Sequence, residues 1–297
     1  MPNLHEVSRE YANAKEQEAR HEMRLRYLQR LQGITKRNII LYYSGWLQKP
    51  GREDTSLNDS DIHSFMSAVS GLNYDTGLDL VLHTPGGEVA ATEALVDYLR
   101  NMFGTNIRVI VPQMAMSAGT MIACAAKTIL MGKHSSLGPI DPQIMGVSAD
   151  GVVREFRRAY EEITEDPGKI HLWGPIIAQY PPFMVTECEQ VIKWGNDLVC
   201  QWLETGMFES QIAATRKSKA KKIVKELADN SRTKSHSRHL SAEFCKKLGL
   251  QVKMIERNQN LQDAVLSIHH VCALSLTSTP ATKLIMNHEG VGVVESA

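Results

Sequence analysis

Between Leu78 and Met131 the chain sets three short apolar runs against two helical segments, and this alternation restricts the fold more than any other feature of the sequence. The runs are Leu78–His83 (LDLVLH), Ile107–Val111 (IRVIV) and Thr128–Met131 (TILM). Their length and aliphatic content suit strands buried on both faces. Between the first two, Glu88 to Phe103 carries Val89, Leu95, Val96, Leu99 and Phe103 at helical spacing. Between the second and third, Ser117-Ala118-Gly119 opens a small-residue helix that reaches about Lys127. Strands joined by crossover helices pair in parallel, so the expected class is α/β with helices covering the sheet. Asn38 to Ser44 (NIILYYS) reads as an earlier strand, and DSDIHSFMSAVSGL as a capped helix after it.

The flanks are more helical. From about Glu6 to Gln32 the chain is rich in Glu, Lys, Arg, Ala and Leu and lacks Gly and Pro. This predicts one long helix within residues 1–35, with an apolar face of Tyr11, Met23, Tyr27, Leu28 and Leu31 and a stop at Gly33. Residues 36–297 read as the main domain. Within it, 151–230 is a mostly helical insertion or assembly region, broken near Pro167-Gly168 and Pro181-Pro182. A helix–strand–helix unit follows (Ala242–Leu248, Gln251–Ile255, Leu261 to about Leu276), then a small hairpin at Lys283–Met286 and Val291–Val294.

Composition excludes several classes. The formal net charge is zero, so whole-chain attraction to nucleic acid or anionic lipid is not expected. The basic run Arg216–Lys225 reads as a solvated helix face. No apolar stretch approaches the roughly 20 residues of a membrane span, and the polar N-terminus has no signal-peptide core. A cytoplasmic location is the expectation. The cysteines number five, with no close pair, which argues against a disulfide framework or a Cys-based zinc site. His269 and His270 are adjacent on a helix and point to different faces, so a shared metal is not expected. No G-x-x-x-x-G-K-[ST] string is present. No metal or organic cofactor is implied.

Two turns carry the chemistry. After the strand 78–83, His83-Thr84-Pro85-Gly86-Gly87 lets the chain turn sharply and bares backbone N–H groups at a helix start, where they can hold an oxyanion. In Met116-Ser117-Ala118-Gly119-Thr120 a serine precedes a helix and has small neighbours. Alone, the first is an ordinary turn or phosphate cradle and the second an N-cap. In this order, one βα unit apart, adjacent parallel strands bring both to one sheet edge. There Ser117 is the candidate nucleophile, and Gly86 and His83 are expected to line the substrate cleft. Met114, Met116, Met121 and Met131 read as core filler, with an apolar substrate wall as the alternative.

The strings HTPGGEVAATEALVDYLR, IRVIVPQMAMSAGTMIACAAKTILMG and SSLGPIDPQ resemble the serine dehydrogenase proteinase family, distant relatives of the Clp protease proteolytic subunit and signal peptide peptidase A. The likeness is clear from about Ile39 to Gly146 and weaker at HSRHLSAEFCKKLGLQVKMIE. It implies a Clp/crotonase-type fold of stacked β-β-α units and a serine-type, endopeptidase-like hydrolase that acylates Ser117. It implies Gly87 and Ala118 as the oxyanion-hole donors. It also implies a peptide or protein substrate, a homo-oligomer built as a ring or stacked trimers, and a separate unfoldase or regulator as partner. Asp141 stands where the Clp subunit has its histidine, and Ser237, flanked by His236 and His239, where it has its aspartate. Two bases stay open: His236 oriented by Asp141, or Lys169 in a Ser–Lys dyad of the signal peptide peptidase type. Thioester chemistry of the crotonase kind and an inactive assembly subunit are the competing functions.

Overall fold

The computed structural model describes residues 4–14, 16–229 and 235–296. In chain order the elements are α1 (Leu4–Asn13), α2 (Gln17–Thr35), β1 (Asn38–Ser44), α3 (Asp61–Val69), β2 (Leu78–His83), α4 (Val89–Phe103), β3 (Ile107–Val111), β4 (Met114–Ala115), α5 (Ala118–Ala125), β5 (Thr128–Met131) and β6 (Ser136–Leu137). They continue with β7 (Gln143–Ile144), β8 (Val147–Ser148), α6 (Ala149–Glu165), α7 (Ile170–Ile177), α8 (Met184–Trp202), α9 (Ala213–Ala228), β9 (Leu240–Ser241), α10 (Ala242–Leu248), β10 (Val252–Met254), α11 (Gln259–Ser278), β11 (Ala281–Asn287) and β12 (Gly292–Ser296).

The main sheet runs β10-β5-β3-β2-β1-β11-β12. Its first five strands are parallel, while β11 and β12 form the expected hairpin on the β1 edge. Period-two alternation splits the side chains between two cores. On one face Leu78, Leu80 and Leu82 meet Tyr42, Val109 and the helices α4 and α5. On the other, Val81, Leu41 and Tyr43 meet residues of α2 and α11, such as Leu28 and Val265. The result is a mixed α/β architecture. Beyond the carboxyl ends of the main strands, β3 and β5 each continue into a second sheet of order β4-β6-β9. That small sheet abuts the turns that follow β2 and β4.

The single N-terminal helix is not observed. Two helices stand in its place, α1 ending at Asn13 and α2 beginning at Gln17, and Tyr27 donates its hydroxyl to Glu10 at 2.8 Å while Arg26 pairs with the same carboxylate. A continuous helix separates residues sixteen apart by about 24 Å, so these contacts require α1 to fold back beside α2. Gly33 is not the stop either. The helix runs on to Thr35 and ends at Lys36 in the left-handed conformation, its N–H bonded to the Gln32 carbonyl.

A buried ion pair ties the hairpin to the first turn of α3. Lys283 and Asp61 are sequestered from solvent and meet at 2.7 Å, and Asp61 also accepts from the Tyr42 hydroxyl and the Asn58 N–H at 3.0 Å. Removing one partner strands the other charge in a low-dielectric interior. Lys283→Met is therefore expected to cost about 3–5 kcal/mol of stability, read as a fall in the urea midpoint.

Candidate active site

The two turns do converge. Thr84, just after β2, bridges Ala115: its N–H donates to the Met114 carbonyl at 3.1 Å, and the Met116 N–H donates to the Thr84 carbonyl at 3.0 Å. Gly86, at φ +107°, then lies directly against the serine turn. A Cβ placed on it would stand 2.6 Å from Ser117 Cβ and 3.0 Å from Ala118 N. Only glycine fits that gap.

Ser117 occupies the N-cap position of α5 but does not cap it. Its side chain makes no capping hydrogen bond, and its backbone sits at φ 50°, ψ −116°, a region that suits glycine. Strain of this kind persists where the surrounding structure over-determines it, and it clusters at functional sites. The ordinary reading of Ser-Ala-Gly as an N-cap fails on this geometry. Ser117 lines a cleft of about 940 Å³.

Gly87 is clamped from its other side. The Leu57 N–H donates to the Gly86 carbonyl at 2.8 Å, and the Glu88 N–H donates to the Leu57 carbonyl at 3.0 Å. Alternation along this short parallel pairing turns the intervening Gly87 N–H away from Leu57. Gly87 has no room for a Cβ, which would stand 2.0 Å from the Leu57 oxygen. The Ala118 N–H belongs to the first turn of α5, where backbone donors have no partner within the helix.

The same cleft is lined by His236. Its Nδ1 lies 2.9 Å from Asp141 Oδ1, across 95 residues of chain. Asp141 is wholly buried, whereas the His236 side chain keeps 27% of its surface exposed. A carboxylate accepts only, so Nδ1–H donates to Asp141 and Nε2 is left as the basic nitrogen. The segment between β6 and Asp141 is tied to the serine helix through Thr120, whose hydroxyl lies 2.8 Å from the Ala115 carbonyl and accepts the Gly138 N–H at 2.9 Å.

Two sequence candidates lie elsewhere. Lys169 follows α6, pairs with Glu162 at 3.4 Å and does not line the cleft. His83 was expected in the cleft; it is buried on the opposite face of the sheet, because it shares the parity of Val81 and not of Leu82. Its ring packs on Tyr43 and Trp46, with centroids 4.2 and 4.4 Å away. Burial, reinforced by His269, holds the His83 imidazole well below its ordinary pKa, and burial brings His269 down to about 4. Both are neutral packing groups at physiological pH.

Residues 54–266 match the family described as ClpP-like SDH-type serine proteinases. The chain belongs to this family. The mixed α/β architecture, with its mostly parallel central sheet, fits a ClpP-like fold. Two uncharacterized proteins of Methanocaldococcus jannaschii are similar to it, each 29% identical over 192 residues. The aligned part covers 65% of this chain and 57% and 59% of the two relatives, so the chain spans less than two thirds of their length. Among the described residues, no helix is long and apolar enough to cross a membrane.

For this ClpP-like SDH-type chain, sequence reasoning missed two parts of the cleft and left a third, the methionine wall, as an alternative. Leu57 comes from a polar loop with no motif of its own. Val191 and Trp194 come from α8, which carries no motif of its own. Met121 is the one methionine of the four that reaches the cleft wall.

Proposed function

We propose that the protein is a serine peptidase that hydrolyses peptide bonds through an acyl-enzyme on Ser117. One observation carries the reading: a strained serine whose hydroxyl caps nothing shares a cleft with a histidine paired to a buried carboxylate. Ser117 Oγ attacks the peptide carbonyl and passes its proton to His236 Nε2. The N–H groups of Gly87 and Ala118 hold the developing oxyanion. The tetrahedral centre collapses, the C–N bond breaks, and His236 returns the proton to the leaving amine. Water, deprotonated by the same nitrogen, then attacks the acyl carbon and releases the acid. Asp141 keeps the imidazole in the required tautomer.

Charge argues against the thioester alternative. The described residues lining the cleft include Glu53, Asp54 and Glu88 and no Lys or Arg, a poor seat for a thioester carried on a polyanionic nucleotide. The reading extends to the rest of the chain. Residues 36–297 form the hydrolase domain of stacked β-β-α units, supported by the way β3 and β5 each continue into the small sheet. Residues 1–35 are appended to it, and 151–230 is a mostly helical insertion or assembly region within it. Assembly into a homo-oligomer, a separate unfoldase or regulator as partner, and a cytoplasmic location belong to the same proposal.

The test is a fluorophosphonate, which loses fluoride as Ser117 Oγ bonds to phosphorus. Mass spectrometry should place the adduct on the peptide that contains Ser117. A protein that stays unlabelled while folded sinks the reading and favours an inactive assembly subunit. Gly86→Ala is expected to slow labelling about 100- to 1000-fold, the cost of losing an oxyanion donor, because the added methyl drives the Gly86-Gly87 turn off the serine. A stopped-flow labelling assay on the two proteins checks this.

A further inference from the structure

A second concavity of about 710 Å³ adjoins the cleft and is lined by Ile144, Met145, Phe183, Met184, Val191 and Trp194, among others. Val191 and Trp194 also line the Ser117 cleft, so the two spaces share a wall. The β7 strand bridges them: Gln143 lies in the cleft and Ile144 in the groove. The Trp194 indole is held by a 3.0 Å bond from its Nε1 to Glu93.

Two large apolar side chains lie open to water on one groove: Met145 is 82% exposed and Phe183 63%. Met145 is also one of three described non-glycine residues with positive φ (52°), followed by Gly146 at 79°. This is the tight turn of the β7–β8 hairpin, where Asn, Asp or Gly is the comfortable residue. A methionine there costs stability without filling a core, and such violations of local preference concentrate at functional sites.

We propose that this groove seats a bulky apolar side chain of the polypeptide substrate while the adjoining segment crosses Ser117. The proposal rests on the peptidase reading and adds a substrate class to it. Continuity with the cleft argues for the same occupant in both spaces. Charge selects its chemistry: the charged described residues along the path are Glu53, Asp54, Glu88 and Glu187, all acidic. They disfavour a fatty acid or anionic headgroup and favour a peptide with Leu, Met or Phe flanked by neutral or basic residues.

Peptides of one length, differing only in Phe, Leu, Ala or Glu at each position, test this. At one position remote from the scissile bond, the wild type is expected to prefer Phe or Leu over Ala by about 10- to 100-fold in kcat/KM, the value of burying one large apolar side chain. Met145→Asp combined with Phe183→Asp should bring that ratio close to one. Both sites are exposed, and Asp suits the turn, so the fold is expected to survive. Binding of the same peptides to a Ser117→Ala protein, followed by Trp194 fluorescence against a Trp194→Phe control, reads the groove without catalysis. Ser117 labelling with no apolar preference in either assay overturns the groove and leaves the peptidase. Apolar preference in binding, with no labelling or cleavage, overturns the peptidase and leaves the groove.

Discussion

Ser117→Ala is expected to lower kcat about 10⁶-fold and to abolish fluorophosphonate labelling, with the fold intact. The magnitude is that of removing a nucleophile from a cooperative unit, in which the remaining members recover little of the rate. Retention of more than a tenth of wild-type turnover would place the chemistry elsewhere. The same position allows a sharper check, because its backbone is strained. At φ 50°, ψ −116° a Cβ is unfavourable, and glycine carries none. Ser117→Gly should therefore be as inactive as Ser117→Ala yet more stable than it by about 1–2 kcal/mol in urea unfolding. A site residue retained purely for packing predicts the opposite, since glycine also loosens the unfolded chain. Activity and stability moving in opposite directions would mark the strain as a consequence of presenting the hydroxyl to the cleft.

The parallel strands were legible because each is an apolar run closed by a turn signal; Leu78–His83, Ile107–Val111 and Thr128–Met131 begin and end where the pattern places them. The convergence of Gly86 with Ser117 was legible too, since parallel neighbours must end on one edge. The break between α1 and α2 was not. Residues 13–17 contain no Gly or Pro, and the bend is fixed by Glu10 reaching Tyr27, a tertiary contact. His83 failed for a different reason: alternation assigns it to one of two faces, and nothing in LDLVLH says which face carries the cleft. The Leu57 clamp on Gly86 and Gly87 is a backbone pairing, invisible to any side-chain pattern. Asp141 with His236 was found through resemblance; their spacing of 95 residues carries no local signal.

Asp141→Asn is expected to lower kcat about 10⁴-fold while leaving KM within a factor of about three. The two side chains are nearly isosteric, and Asp141 is buried away from the substrate path, so binding has little to lose. What changes is the tautomer. The carboxylate accepts the Nδ1–H of His236 and leaves Nε2 as the unprotonated ring nitrogen. An asparagine can instead offer its NH₂ to Nδ1, which stabilises the tautomer with the proton on Nε2, and that nitrogen then cannot take the proton of Ser117. The imidazolium formed during attack also loses its counter-charge. A merely structural Asp141 predicts lost stability with kcat per folded molecule unchanged, so active-site titration and kcat together separate the two. Lys169→Ala supplies the opposing arm. Lys169 pairs with Glu162 and does not line the cleft, so its loss should move kcat by less than about twofold. A Lys169→Ala protein that loses 10⁴-fold beside a fully active Asp141→Asn would transfer the role of base to the lysine.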